Sequence, residues 1–104
     1  KSIMMNSILA FGTFSESSFV KANLYESTLQ GANFEQSNFT SANLTRANLK
    51  GATLIGVNFK NANLMESNLT SANITEANFE GANLNKAIWV DGRVCGANSI
   101  GNCK

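Results

Sequence analysis

A bulky apolar residue returns at every fifth position through most of this 104-residue chain. It stands at Phe14, Phe19, Leu24, Leu29, Phe34, Phe39, Leu44, Leu49, Leu54, Phe59, Leu64, Leu69, Ile74, Phe79, Leu84 and Trp89. Two residues before each sits a small one, usually Ala or Ser, and Asn or Thr usually lies between them. A period of five excludes an α-helix. At about 100° per residue, successive bulky residues would point about 140° apart and spiral around the axis. It excludes an uninterrupted strand as well, because an odd step moves the side chain to the opposite face each time. The chain must therefore bend once per repeat. Between bends, the small and bulky residues face one way on a short extended segment and the intervening Asn faces the other. The result is a coil with an interior of Ala, Ser, Leu and Phe.

A second period sets the size of the coil. Shifting the sequence by twenty residues brings like onto like: Phe19, Phe39, Phe59 and Phe79 form one column, and Leu24, Leu44, Leu64 and Leu84 another. Leu9, Leu29, Leu49 and Leu69 form a third, continued by Trp89, while Phe14, Phe34, Leu54 and Ile74 make a mixed fourth. A shift of ten matches only Leu44 with Leu54 and Leu54 with Leu64. Residues twenty apart are thus neighbours between turns, which stack at about 4.8 Å, the spacing of hydrogen-bonded strands. Four pentapeptides make one turn.

This pattern resembles the pentapeptide-repeat family, whose motif is Ala-(Asp/Asn)-Leu-x-x. The resemblance covers residues 14–89 and implies an all-β fold, a right-handed quadrilateral β-helix; the handedness comes from the resemblance alone. The chain departs from the motif in using Asn and never Asp at the middle position, and in placing Val57 at one small position.

Three segments follow. Residues 1–13 keep the phase, with Met4 and Leu9 at the bulky position, but Ile3, Ile8, Met5 and Phe11 stand where outward residues belong. This is the composition of an N-terminal cap, or of a docking patch around Phe11. Residues 14–89 form the coil body, with no insertion and no Pro. Residues 90–104 abandon the repeat, with turn signals at Asp91-Gly92 and Gly101-Asn102. They hold both cysteines, Cys95 and Cys103, in a chain without His, so the spacing is not a metal pattern. The two readings are a disulfide and a pair of free thiols; the disulfide leads, and it points to an oxidising compartment. The stretch resembles the Trp-x-Asp-Gly-x-x-Cys…Ser-Ile-Gly-x-Cys tail that closes some exported bacterial members of the family. That resemblance implies a disulfide-closed cap, with Trp89, Val94 and Ile100 as its plug, in a periplasmic, secreted or lumenal protein. The sequence starts at Lys1 and not at Met, which suggests processing or trimming.

Composition argues mostly by exclusion. Net charge is +1 without a basic run, so a nucleic-acid footprint is missing. No apolar run approaches the ~20 residues of a membrane span. Without His, a phosphate loop or a nucleophile motif, neither an enzyme, a cofactor nor a metal is expected. An ice-binding face would need one Thr column, yet Thr40, Thr45, Thr70 and Thr75 fall on four faces. Some relatives of the family mimic DNA and inhibit or protect type II topoisomerases. Mimicry needs a dense negative surface, and six glutamates against five basic residues leave residues 14–89 at −1. The remaining reading is a structural or protein-interaction module with flat faces, monomeric or a weak homodimer, and with an unidentified protein partner. The candidate surface is the column Glu26, Arg46, Glu66 and Lys86, alternating in sign, flanked by the mildly apolar Tyr25 and Met65. The middle-position asparagines are read as bend supports, bonding backbone and the Asn of the next turn.

Overall fold

The computed structural model describes residues 8–104. The expected N-terminal cap falls partly outside them, at residues 1–7. Through the body, parallel bridges join residues twenty apart, from Ile8 with Thr28 and Thr13 with Asn33 to Asn63 with Asn83 and Asn68 with Ile88. Each bridge is a single residue at the middle position of a repeat. The chain thus bends before any run of pairing can grow into a longer strand. The fold is a β-helix. Residues 8–13 already share its bridges: Ile8 and Thr13 are paired like any later repeat.

One repeat shows how the backbone is satisfied. Asn38 N–H donates to Ser17 C=O at 3.0 Å, in the turn below, and Phe39 N–H to Asn58 C=O at 2.7 Å, in the turn above. Ser41 N–H reaches Lys60 C=O at 2.9 Å, and Ala42 N–H closes the bend on Phe39 C=O at 3.0 Å. The remaining donor, Thr40 N–H, finds no backbone acceptor and bonds to the Asn38 side-chain Oδ1 at 3.0 Å. All five N–H groups of the repeat are therefore paired, as buried backbone requires.

The same Asx bond recurs at Asn23, Asn33, Asn43, Asn48, Asn58, Asn63, Asn68, Asn73, Asn78 and Asn83. Asn supplies the one acceptor the coil lacks, which is why it dominates this position. Bonding between asparagines of successive turns is much rarer than the sequence reading holds. Among the described residues only Asn43 Nδ2 donates to Asn23 Oδ1, at 3.4 Å. The Oδ1 atoms are already committed within their own repeats.

Every bend puts the residue two after the bulky one at positive φ. Gly31, Gly51 and Gly56 do so at +68°, +69° and +67°, as does Gly81 at +70°. So do Glu16, Lys21, Glu26, Gln36, Ser41, Arg46, Asn61, Glu66, Ser71, Glu76 and Lys86, at 56° to 63°. The glycines mark the bend, but the bend does not require them.

The interior stacks by column. Phe19 lies on Phe39 with ring centroids 4.7 Å apart, Phe39 on Phe59 at 5.4 Å, and Phe59 on Phe79 at 5.1 Å. Phe34 stands edge-on to Phe39 at 5.1 Å, tying neighbouring columns together. Phe34, Phe39, Phe59 and the leucines from Leu24 to Leu84 are fully buried. Val57 fits its small position without exposure.

The tail caps part of the last turn. It reverses direction, pairing Val94 antiparallel with Ile88 and Ile100 with Asn83. Cys95 and Cys103 form a disulfide. The plug differs from the expected one. Val94 and Ile100 hold bridge positions, whose side chains point outward as Asn does in the body, and they remain 63% and 50% exposed. Cys95 and Ser99 occupy the covered positions instead, at 1% and 0% exposure. Ser99 ties the tail together: its N–H donates to Asn85 Oδ1, its hydroxyl donates to Gly96 C=O, and it accepts from Lys104 N–H.

Candidate functional site

The stripe built on Glu26, Arg46, Glu66 and Lys86 sits on one line of bends, because bends recur every five residues and those twenty apart stack in successive turns. Positive φ turns these four side chains outward at equivalent points of successive turns, and all four are exposed. Tyr25 and Met65 stand one residue earlier on the same line and are half-buried. The alternating charges engage only at one end of the stripe. Arg46 Nη1 lies 3.3 Å from Glu26 Oε2, both well exposed at 54% and 37%. Among the described residues, no ion pair joins Glu66 to Lys86.

Arg46 is the centre of this patch. Its guanidinium is held above its ordinary pKa, first by a hydrogen bond with the Tyr25 side chain, then by the charge of Glu26, with Glu66 contributing last. It therefore stays cationic at any pH the protein meets. The patch offers a planar cation beside an aromatic hydroxyl and a carboxylate, a surface suited to polar protein contacts.

Phe11 belongs elsewhere. It is 75% exposed. It lies on another line of bends, with its ring edge against the face of Gly31, where a Cβ would meet it at 2.5 Å. Ile8 beside it is 79% exposed. The structure thus joins Tyr25, Glu26 and Arg46, continues the line through Met65, Glu66 and Lys86, and separates Phe11 from them. Among the described residues, no pocket opens, no three metal-ligating side chains gather, and no helix is long and apolar enough to cross a membrane.

Sequence reasoning missed one feature of the coil end. The tail covers the repeats of Leu84 and Trp89 but not those of Ile74 and Phe79, which end the body half-buried.

The pentapeptide-repeat model matches residues 17–54 and 47–85 in eight copies. The chain belongs to the pentapeptide-repeat family. Among curated proteins, none matches the sequence. Among solved structures, the chain is similar to the pentapeptide repeat protein Rfr23 from the cyanobacterium Cyanothece 51142, with 26% identity and a TM-score of 0.55 over 82% of this chain and 75% of that one. It is also similar to HetL, a pentapeptide repeat protein involved in heterocyst differentiation regulation from the cyanobacterium Nostoc sp. strain PCC 7120. There identity is 26% and the TM-score 0.42, over 88% of this chain but only 48% of that one, so the present sequence spans about half of HetL. A third similarity is to QnrB1, a plasmid-mediated fluoroquinolone resistance protein, with 18% identity and a TM-score of 0.50 over 91% of this chain and 68% of that one.

Proposed function

We propose that the chain is a non-enzymatic interaction module: a right-handed, four-sided β-helix that presents the Tyr25–Arg46 patch and the stripe above it to a protein partner in an oxidising, extracytoplasmic compartment. The observation that carries this reading is the patch itself. On an otherwise solvated coil, Arg46 pairs with Glu26 at 3.3 Å and stands beside Tyr25. Tyr and Arg are residue types that concentrate binding energy at interfaces. The twenty-residue register supports four sides, since each turn contains four bends. The disulfide supports an oxidising compartment. Among the described residues the surface holds no pocket, which suits protein contact better than small-molecule chemistry.

Affinity capture from an envelope extract of the source organism tests the reading. The wild-type chain is compared with Arg46→Glu and with a control on another line of bends, Lys50→Glu. The expected result is a set of proteins retained by wild type and by Lys50→Glu but lost with Arg46→Glu. Equal retention by all three sinks the patch. A gyrase supercoiling assay separates this reading from DNA mimicry, for which a body charge of −1 is a poor match.

A further inference from the structure

The stripe of Glu26, Arg46, Glu66 and Lys86 has a symmetry that the contacts within one chain do not use. Its signs alternate and its members are even in number, so reading it from the other end exchanges every sign. Within the chain, the one ion pair on the stripe joins Glu26 to Arg46. Among the described residues, Glu66 and Lys86 have no ion-pair partner, and both are exposed. Arg46 keeps donors to spare, because a guanidinium donates from every nitrogen and the contact with Glu26 is made by Nη1.

The rows beside the stripe tolerate the same reversal. Tyr25, Thr45, Met65 and Asn85, all half-buried, form the row one residue earlier. Asn23, Asn43, Asn63 and Asn83 form the next row on that side of the coil, and Lys21, Ser41, Asn61 and Gly81 edge it at the previous bend. Reversing the order of turns lays Tyr25 on Asn85, Thr45 on Met65, Asn23 on Asn83, Asn43 on Asn63, Lys21 on Gly81 and Ser41 on Asn61. No like charges meet. The other sides of the coil fail the same operation. It sets Glu16 on Glu76 along one of them, and it leaves Lys60 on Thr40 and Lys50 on Thr70, both without an opposite charge, along two others.

We propose that the occupant of this stripe is a second copy of the chain, lying side by side with the first and antiparallel to it, which rests on the stripe's being the protein-contact surface proposed above and names its partner. The two-fold axis runs across that side of the coil, perpendicular to the stack, and passes between the levels of Arg46 and Glu66. Each row then faces itself with its order reversed. Arg46 meets the partner's Glu66, and Glu66 meets the partner's Arg46. Glu26 meets the partner's Lys86, and Lys86 meets the partner's Glu26. Arg46 bridges its own Glu26 and the partner's Glu66, so the charges of both stripes join into one network. Charge also fixes direction and register. Parallel copies would set like on like at all four levels, and a slip of one turn would set Glu26 against the partner's Glu66 and Arg46 against the partner's Arg46. Beside the network, Tyr25 lies against the partner's Asn85 and Met65 against the partner's Thr45, which gives it a partly apolar margin. The contact is isologous and closes at two copies.

Sedimentation velocity over a wide concentration range tests this on the oxidised chain, with zero-length carbodiimide cross-links mapped alongside by mass spectrometry. The expected result is a monomer of 11.1 kDa in equilibrium with a dimer that weakens as salt is raised. The dimer carries a cross-link between Glu26 and Lys86. Within one chain those residues stand three turns apart, about 14 Å at the spacing of strands and beyond a zero-length bond. Arg46→Glu and Glu66→Arg each raise the dissociation constant about tenfold, because each sets like charges together twice. Neither disturbs the bend, since Glu16 and Glu76 hold such positions at φ 56° and 59° and Arg46 does so at 61°. Combining the two exchanges restores the dimer: the stripe is self-complementary again, although its neighbours within one chain now repel. A role confined to a single chain gives the opposite, with the combined variant the worst of the three. A monomer at every concentration overturns the dimer, as does a dimer indifferent to both single exchanges or one without the Glu26–Lys86 link. The stripe as a protein-contact surface falls separately, when capture from the envelope extract is unchanged by Arg46→Glu.

Discussion

Phe79 and Leu84 hold equivalent places in consecutive repeats of the final turn, yet Leu84 is fully buried and Phe79 is not. One turn lower, Phe59 and Leu64 are both at 0% exposure, so residue type is not the cause. The difference lies in the layer above. Leu84 N–H donates to Ser99 C=O at 2.7 Å, with buried Cys95 beyond it, while Phe79 N–H finds no such acceptor among the described residues and its ring meets Trp89 with centroids 5.4 Å apart. In a solenoid, the next layer supplies a residue's burial, and the end of the coil is where that supply stops.

The largest effect expected from this contrast is at Phe39. Phe39→Ala removes a ring stacked on both sides and costs about 3–5 kcal/mol, whereas Phe79→Ala, already partly in water, costs about 1–2 kcal/mol. Denaturant unfolding at concentrations that keep the chain monomeric measures both, and equal losses would remove the layer as the cause. Next in size is the disulfide. Replacing Cys95 and Cys103 with Ser removes a short covalent loop worth about 2–3 kcal/mol in the chain-entropy model. The expected signature is local as well as global: a lower Tm, with faster exchange at the Leu84, Lys86 and Trp89 amides, which donate to the tail, and none at Leu44 or Leu49. Loss confined to the tail amides without a fall in Tm would make the bridge a local clasp rather than part of the cap.

The capped half and the open half of that turn were unequally legible in the sequence. The columns were legible because like residues stack on like at every twentieth position, and packing enforces that repeat. The pairing of Cys95 with Cys103 was legible because no His offers either cysteine a metal partner. The inward face of the tail was not. Val94 and Ile100 are its most apolar residues and look like a plug, but the antiparallel return gives them bridge positions and turns them outward. Burial there follows from chain direction, which composition does not encode. The patch was half legible: alternating sign at steps of twenty placed Arg46 beside Glu26, but which neighbours touch depends on side-chain length, and Lys86 does not pair with Glu66.

Backbone bends should behave differently from burial, because they are local. Glu76 at the open edge has φ 59°, close to the 62° of Gln36 in the body. Val in place of Gly51, where an added Cβ meets nothing, is therefore expected to cost about 1–2 kcal/mol through φ alone. Gly81→Val should cost a similar amount once the exposed Asn61 side chain moves aside. Gly51→Asn should be nearly neutral, as Asn61 already occupies such a bend at φ 59°. Thermal unfolding of the three variants checks the set. A much cheaper Gly81→Val would mean that the missing layer relaxes the backbone too.

The smallest effect tests whether the surface knows of the end at all. Glu26–Arg46 and Glu66–Lys86 are the same pair of positions, two turns apart, yet only the first is closed. Arg46 also stands beside Tyr25, so the ion pair is isolated by changing its partner: Glu26→Gln in wild type and in an Arg46→Gln background, and Glu66→Gln with and without Lys86→Gln. The first cycle should give a small favourable coupling that fades as salt is raised, because both groups are solvated. The second should give none. A coupling at Glu26–Arg46 that survives high salt would show that the pair is shielded from solvent, and in a single coil with these exposures only a bound partner could shield it.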